Sequence, residues 1–344
     1  MIEKPISDAE LIYYIRLIRE SSLPLEPLPV NLSAEWEALI PKKGEPVLKD
    51  IRAVLFDLYG TLFISGAGEI SAGTTQGNNL FSNLISRRHR GTEENGEMES
   101  CAHPSVPPCP SERYLEEMGD YFRGAVKQRH EKAHAEGIAW PEVRVEEIWA
   151  DYKGTIPACW ESLQKMRGFP DKIGPNASAP GTGREMALRY ELAVNPVFPM
   201  PHTEEVLRAL IANGVKLGII SNAQFFTPFL FNAFFNASPT ELGFDPELLI
   251  YSFNENEAKP SSRLFSKAKE RLAQYTIKPE ETLYIGNDMK NDITGAAGEG
   301  FTTALFAGDR RSLRLREDDP ACAGKRPDMV LRDLQTLEKA LPLE

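Results

Sequence analysis

The feature that most constrains this chain is a short apolar run, Ala53 to Phe56, that is followed at once by an acidic residue, Asp57. The run has strand-forming composition and is long enough for a buried strand of a parallel sheet. Gly60 and Thr61 come shortly afterwards and predict a tight turn. Since ligands of open α/β sheets bind at the carboxyl ends of the strands, Asp57 is predicted to face a site rather than the core.

Later segments repeat this arrangement of an apolar run that ends at polar residues. Val215 to Asn222 is predicted to be a second buried strand, which ends at the hydroxyl of Ser221, and Thr282 to Asp292 a third strand with an acidic loop. Between them, Lys259 lies in a turn that precedes a helical pattern. Alternating helices and apolar strands indicate a parallel, doubly wound sheet.

These segments resemble, in order, the motifs of the haloacid dehalogenase (HAD) superfamily. Asp57-Leu58-Tyr59-Gly60-Thr61 is similar to the D-x-D-G-T pattern of that family, except that Tyr59 stands where the second Asp is usual. The resemblance implies an α/β fold, with a doubly wound (Rossmann-like) parallel sheet core and an inserted α-helical cap domain. It also implies a hydrolase whose first Asp is the nucleophile.

The resemblance gives each matching residue a role. Asp57 would be the nucleophile and one Mg²⁺ ligand, and the backbone carbonyl of Tyr59 a second ligand. Ser221 would donate to a phosphoryl oxygen, and Lys259 would hold the nucleophile and the phosphate by charge. Carboxylate oxygens of the acidic loop suit Mg²⁺, which keeps several waters. The predicted catalytic and metal-binding positions are Asp57, Tyr59, Thr61, Ser221, Asn222, Lys259, Asn287, Asp288 and Asp292.

The acidic loop leaves the identity of its metal ligand open. Family members commonly have Gly-Asp there, whereas Gly286 is followed here by Asn287 and then Asp288. Either Asp288 binds the metal with Asp292, at an accepted D-x-x-x-D spacing, or Asn287 occupies the usual first position. Each Asp could instead cap the start of the following helix, a common role of this residue type.

Tyr59 separates two hypotheses for the reaction. In family phosphatases the missing Asp protonates the leaving oxygen and later activates water, and a tyrosine with an ordinary pKa of about 10 is a poor replacement as a base near neutral pH. Haloacid dehalogenases share the Asp-x-Tyr-Gly-Thr pattern, release halide without a proton and need no metal. The acidic pair favours Mg²⁺-dependent hydrolysis of a small phosphorylated metabolite through an aspartyl-phosphate on Asp57. A 2-haloacid dehalogenase and a binding protein that has lost turnover are the alternatives.

The rest of the chain is predicted to surround this core. An N-terminal helical arm, with a helix over residues 8–20, packs on the core or contacts a second copy of the chain. In the cap, residues 66–110 lack periodicity and predict a flexible excursion, whereas residues 111–195 have helical patterns. The predicted boundaries are residues 1–50 for the arm, 51–65 and 200–344 for the core, and 66–199 for the cap. Further helices are predicted over residues 203–213 and 262–275.

Composition limits the partners and the location of such a protein. The net charge of −11 argues against binding to nucleic acid or to an anionic membrane. No apolar run approaches the ~20 residues of a membrane span, and the N-terminus does not match a signal peptide. Scattered cysteines without C-x-x-C pairs favour the cytoplasm. A basic cluster is predicted to form a solvated helix face: Arg310, Arg311, Arg314 and Arg316.

A competing motif lies in the predicted cap. His130-Glu131-Lys132-Ala133-His134 matches the H-E-x-x-H zinc signature, and its spacing puts both imidazoles on one helical face. The neighbouring residues Lys127, Gln128 and Arg129 are typical of a solvated helix, and no other histidine stands in a pattern that marks a third ligand. The sequence therefore favours a polar cap helix over a zinc site.

Overall fold

A computed structural model describes residues 6–22, 24–42, 48, 50–68, 110–152 and 183–341. The prediction of a flexible excursion over residues 66–110 lies almost entirely outside the described residues, as does the part of the predicted helical region from 153 to 182.

The helices of the described residues are, in chain order, α1 (Asp8–Ser21), α2 (Ala34–Glu37), α3 (Pro110–Ala135), α4 (Val145–Ala150), α5 (Gly183–Val194), α6 (Thr203–Ala212), α7 (Phe229–Phe235), α8 (Ser252–Glu255), α9 (Ser262–Gln274), α10 (Gly295–Gly298) and α11 (Thr336–Ala340). Short 3-10 turns span Pro279–Glu281 and Pro320–Cys322, and a π-helical turn spans Met289–Thr294. The helices predicted over residues 8–20, 203–213 and 262–275 are therefore confirmed.

The strands are β1 (Ala53–Phe56), β2 (Phe63–Ser65), β3 (Val197–Pro199), β4 (Lys216–Ser221), β5 (Phe244–Tyr251), β6 (Thr282–Gly286), β7 (Thr302–Phe306) and β8 (Met329–Leu331). Six of them form one parallel sheet in the order β5-β4-β1-β6-β7-β8. Ala53 of β1 is aligned with Lys216 on one side and with Thr282 on the other. The chain order thus reverses at β1, and the predicted doubly wound sheet is confirmed.

Both faces of the sheet are covered, which explains why its central strands are almost wholly apolar. All residues of β1 and β6 are buried. Alternate side chains of β1 point to opposite faces. Val54 belongs to the buried cluster that includes α6, and Leu55 to the cluster that includes α9. The polar residues that follow these strands therefore lie at the sheet edge, between the two helical layers.

A second, two-stranded sheet marks where the chain leaves the core and returns to it. β2 pairs antiparallel with β3, and Ser65 lies opposite Val197. Asn195 Oδ1 accepts hydrogen bonds from Ser65 Oγ at 2.8 Å and from the Ala67 amide at 3.0 Å. The chain between these two strands is therefore one insertion whose ends are held side by side.

The described helices of the insertion, α3, α4 and α5, pack through aromatic side chains. The rings of Phe122 and Trp149 are stacked with centroids 5.6 Å apart, and Tyr190 lies 4.7 Å from Trp149. All three residues are buried. The helical pattern predicted for this part of the chain is confirmed where the structure describes it.

The N-terminal helix α1 packs on the core. Leu17 and Ile18 are buried, and Arg19 donates to the carbonyl oxygens of Ala233 and Asn232 in α7, both at 2.7 Å. No helix in the described ranges has the length and apolar character needed to cross a membrane.

The prediction that the arginines between Arg310 and Arg316 form one face of a helix is wrong. The segment around Arg314 is held by backbone hydrogen bonds to the loop after β6, from Arg314 N to Asn287 O and from Met289 N to Arg314 O, both at 2.9 Å. These backbone groups therefore cannot take part in a helix. Charge spacing alone did not distinguish a helix from this extended segment.

Candidate active site

The predicted motif residues meet in a crevice at the carboxyl ends of β1, β4 and β6, next to the strand where the chain order reverses. This is the position at which doubly wound sheets bind ligands. A cavity of about 170 Å³ opens there. Nearly all the predicted site residues line it. Thr61 and Ser221 do not, because both side chains are fully buried.

Lys259 joins two of the carboxylates of the site. Its ammonium donates to Asp57 Oδ1 at 2.7 Å and to Asp292 Oδ1 at 2.5 Å, and only 3% of its side chain is exposed. Burial would lower the pKa of Lys259, but Asp292 and Asp57 outweigh that effect and raise it. Burial raises the pKa of Asp292 despite the attraction of Lys259. Tyr284, which sequence reasoning missed because it lies inside an apolar strand, places its hydroxyl 3.0 Å from Asp292 Oδ1.

Asn222 positions the turn that carries this lysine. Its side-chain oxygen accepts a hydrogen bond from the Lys259 amide at 2.7 Å. The hydroxyl of Ser221 lies 3.3 Å from the carbonyl oxygen of Asn222 and does not reach the cavity. In this conformation, Asn222 is the residue of the pair that faces the site.

Asp288 is neutralised by a residue outside the predicted site. Arg316 Nη2 donates to Asp288 Oδ2 at 2.6 Å. Asp288 Oδ1 also accepts from the amides of Lys290 at 2.8 Å and Asn291 at 3.2 Å, so Asp288 caps the turn that follows. The capping role considered for either Asp of this loop therefore belongs to Asp288.

Asn287 is oriented by its neighbours. Its Nδ2 donates to the carbonyl oxygen of Ser312 at 2.7 Å, and its Oδ1 accepts from Thr61 Oγ1 at 3.2 Å. Gly60 makes this arrangement possible, because a Cβ there would lie 2.9 Å from the Asn287 amide group. Its φ of +90° also disfavours other residues.

The oxygen atoms of the site fit a Mg²⁺ ion with few protein ligands. Neither Asp57 Oδ2 nor the carbonyl oxygen of Tyr59 accepts a hydrogen bond from the described residues. Both oxygens of Asp288 and of Asp292 already accept hydrogen bonds. The described residues also include no cluster of three or more His, Cys, Asp or Glu placed to hold a metal ion. Asp57 Oδ2 and the Tyr59 carbonyl oxygen are hard oxygens without a hydrogen-bond donor from the described residues, and Asn287 Oδ1 accepts only the 3.2 Å hydrogen bond from Thr61. Mg²⁺ commonly binds through one or two carboxylates and keeps its waters.

Tyr59 cannot serve as an acid in this environment. Its hydroxyl lies 3.0 Å from Thr227 Oγ1. Burial, and then the charges of Glu191 and Asp57, raise the pKa of Tyr59 well above its ordinary value. The phenol therefore holds its proton throughout the physiological pH range.

The insertion closes one side of the cavity through the segment between α3 and α4. Backbone hydrogen bonds run from Glu142 N to Asn256 O at 3.1 Å and from Ala258 N to Trp140 O at 2.8 Å. Ala258 directly precedes Lys259 in the chain. This contact therefore joins the insertion to the turn that carries the catalytic lysine candidate.

Glu142, in this segment, is a cavity-lining carboxyl that sequence reasoning missed. Its Oε2 accepts from Ser252 Oγ at 2.5 Å, and its Oε1 accepts from Val143 N at 2.8 Å and Gln224 Nε2 at 3.2 Å. Burial raises the pKa of Glu142 to about 7, although these hydrogen bonds lower it. Nothing in the sequence distinguishes this glutamate from the others of the insertion.

The H-E-x-x-H motif lies on α3, as predicted. His130 lines the cavity, whereas His134 is exposed and its Nδ1 lies 2.9 Å from the carbonyl oxygen of Ile138. Burial, and then His134, lower the pKa of His130. His130 therefore lines the cavity as a neutral imidazole at physiological pH.

Comparison with known proteins places this geometry in a family. A family model described as a hydrolase, "haloacid dehalogenase-like hydrolase", matches residues 51–300. A glyceraldehyde 3-phosphate phosphatase of Methanothermobacter thermautotrophicus is 30% identical over 115 residues, which cover 31% of this chain and 44% of that protein. The match thus spans less than half the length of that relative.

Two further proteins that are similar to this chain differ in their stated activities. A ribulose-1,5-bisphosphate 5-phosphatase of Halopiger xanaduensis is 24% identical over 196 residues, which cover 56% of this chain and 76% of that protein. The crystal structure of a dehalogenase with an intermediate complex is 15% identical, covers 86% of this chain and 100% of its own, and has a TM-score of 0.45.

Proposed function

The chain belongs to the haloacid dehalogenase-like hydrolase family, and from this premise we propose that it is a Mg²⁺-dependent phosphatase of a small phosphorylated metabolite. The observation that carries the proposal is the state of Asp57. Lys259 holds Oδ1, while Oδ2 accepts no hydrogen bond from the described residues and the side chain faces the cavity. A carboxylate fixed in this way can attack phosphorus and form an aspartyl-phosphate.

The charges around Asp57 support phosphoryl transfer. Lys259 remains an ammonium between Asp57 and Asp292 and can stabilise the charge of a phosphoryl oxygen while it keeps the nucleophile in place. Mg²⁺, held by Asp57, the Tyr59 carbonyl oxygen and Asn287, would supply further positive charge for the equatorial oxygens. The two curated relatives, at 30% and 24% identity, are both named as phosphatases, which supports the same reaction class.

A 2-haloacid dehalogenase is the second candidate, because two observations favour it. Tyr59 gives the site the tyrosine of the dehalogenase pattern. Asp288 and Asp292, whose charges would repel a haloacid carboxylate, are neutralised by Arg316 and Lys259. The dehalogenase reaction would use Asp57 on carbon and would not need Mg²⁺.

The purified protein should be tested on a panel of phosphorylated metabolites and 2-haloacids, with Mg²⁺ and with chelator. We expect Mg²⁺-dependent phosphate release, and a loss of at least about a thousandfold in kcat for Asp57→Asn, because the nucleophile is removed. Asp151→Asn is the matched control, since Asp151 pairs with Arg129 on the surface with 73% of its side chain exposed. Metal-independent halide release would support the second candidate and refute the first.

A further inference from the structure

We propose that Glu142, which the insertion brings into the cavity, is the acid that protonates the leaving oxygen of the substrate. The inference rests on the proposed phosphatase function, because an alkoxide or phenoxide leaving group needs a proton and a halide does not. Sequence reasoning identifies the need for this acid, since Tyr59 replaces the residue that normally supplies the proton. The structure shows which group can fill it.

The aspartates of the cavity are already committed to other contacts. Asp57 is the nucleophile, and Lys259 contacts both Asp57 and Asp292. Asp288 is paired with Arg316. Burial raises the pKa of Asp292, but its two oxygens already accept hydrogen bonds from Lys259 Nζ and from the Asp288 amide, so neither oxygen is free to give a proton to a substrate.

Glu142 differs from these carboxylates in its partners. Its hydrogen-bond donors are all neutral: the amide of Val143, the side-chain amide of Gln224 and the hydroxyl of Ser252. No ion pair to Glu142 is formed by the described residues. Burial without a cation favours the neutral acid, which is why the pKa of Glu142 rises to about 7. His130, the imidazole that lines the cavity, has a lowered pKa and is a weaker source of protons.

The surroundings of Glu142 accept both of its protonation states. Ser252 Oγ lies 2.5 Å from Glu142 Oε2, accepts from Ala223 N at 2.9 Å and lies 3.2 Å from Ala223 O. When Glu142 is charged, Ser252 donates to it. When Glu142 is protonated on Oε2, it can donate to Ser252, whose own proton turns to the Ala223 carbonyl oxygen. Neither state leaves a buried donor without an acceptor.

The proposed step balances over the two halves of the reaction. Asp57 attacks phosphorus, the bond between phosphorus and the leaving oxygen breaks, and Glu142 gives its proton to that oxygen. The Glu142 carboxylate then takes a proton from the water that attacks the aspartyl-phosphate, which releases phosphate and restores both carboxyl groups. The net reaction is hydrolysis of a phosphate ester to an alcohol and phosphate.

Leaving-group dependence tests this role directly. The probes are phenyl phosphate, whose phenoxide needs a proton to depart, and 2,4-dinitrophenyl phosphate, whose phenoxide does not. In Glu142→Gln we expect kcat/KM to fall by about 100-fold or more for phenyl phosphate and by less than about 10-fold for the dinitrophenyl ester. Since the acid must be protonated to act, we expect kcat/KM of wild type for phenyl phosphate to fall as pH rises above about 7, and we expect this fall to disappear in Glu142→Gln. The other titratable or charged groups that line the cavity with Glu142 are unchanged in this variant: Asp57, Tyr59, His130, Lys259, Asp288, Asp292 and Arg314.

Gln224→Ala is the comparison variant for a structural role, because it removes the hydrogen bonds with Val143 O and Val145 N that join the insertion to the core but keeps the carboxyl of Glu142. It also removes one of the three donors to that carboxyl, so the fall of the phenyl phosphate rate with pH should be kept but should move to higher pH. We expect this variant to lower kcat/KM for the two esters by similar factors. Equal losses for both esters in Glu142→Gln, with the pH profile unchanged, would overturn the proposal and make Glu142 a residue that only docks the insertion. If wild type releases phosphate neither from these esters nor from any phosphorylated metabolite of the panel above, the phosphatase function itself fails, and this role of Glu142 fails with it.

Discussion

Replacement of Lys259 by methionine tests whether this ammonium holds the site together. Methionine keeps an unbranched side chain, one heavy atom shorter than that of lysine, but removes the charge from between Asp57 and Asp292. The two ion pairs measure 2.7 Å and 2.5 Å and are almost fully buried, with 9% and 2% of the carboxylate side chains exposed. Loss of one partner of a buried pair commonly costs about 3–5 kcal/mol, because the remaining charge has neither water nor a counter-ion. We therefore expect the free energy of unfolding of Lys259→Met to fall by about that amount at neutral pH.

The pH dependence of this loss identifies its origin. Burial raises the pKa of Asp292 and Lys259 lowers it, so its pKa should rise further in Lys259→Met. A carboxyl whose pKa is higher in the folded than in the unfolded protein contributes stability below its unfolded pKa of about 4, and that contribution is lost as pH rises through the folded value. The difference in the free energy of unfolding between wild type and Lys259→Met should therefore be small near pH 4 and should grow towards neutral pH.

Urea unfolding followed by far-UV circular dichroism, at about pH 5 and about pH 8, measures both effects. Lys127→Met is the matched control, since Lys127 pairs with Glu131 at 3.8 Å on the surface and should change stability by less than about 1 kcal/mol. The double variant Lys259→Met with Asp292→Asn should recover part of the loss. A deficit below about 1 kcal/mol at neutral pH, or one that does not depend on pH, would refute the reasoning.

Other predictions concern the loops around Asp57. Tyr59→Phe should leave the leaving-group dependence of kcat/KM unchanged, because its hydroxyl is committed to Thr227; a selective loss with phenyl phosphate would contradict this. In calorimetric titration, Asn287→Ala should weaken Mg²⁺ binding more than Asp288→Asn, because Arg316 already neutralises Asp288; the reverse order would identify Asp288 as the ligand. Gly60→Ala should lower the free energy of unfolding by about 1–3 kcal/mol, since its φ is +90°, and an unchanged urea midpoint would contradict that.

The parts of the site that could be predicted are those determined locally. Asp57 and Asn222 each follow a buried strand, and Asp292 follows a third within a short loop, so the alternation of apolar run and polar residue predicts their place at the sheet edge. Their roles came from the family resemblance, which at the second strand assigned the contact with substrate to Ser221, whereas Asn222 faces the cavity. The same alternation predicted the doubly wound sheet, because parallel strands buried on both faces must be apolar.

The residues that were missed depend on contacts between distant parts of the chain. Glu142 meets Gln224 and Ser252 across 82 and 110 residues of sequence, and no local pattern encodes those distances. Arg316 meets Asp288 across 28 residues, in a segment whose charges were wrongly interpreted as a helix face. A run of charged residues predicts the charge of a surface but not the backbone conformation of the segment that forms it.

The antiparallel ladder between β2 and β3 has a consequence for how relatives of this protein can diverge. Because the ladder fixes the distance between the two ends of the insertion, recombination can exchange or lengthen the DNA that encodes it without changing what the core must span. The free-energy cost of closing a loop rises by only about 0.6 kcal/mol for each doubling of its length, so even a large exchange need not unfold the sheet. If the insertion also carries the acid, such an exchange would replace the substrate range and the proton donor in one genetic event, while Asp57 and Lys259 stay in place.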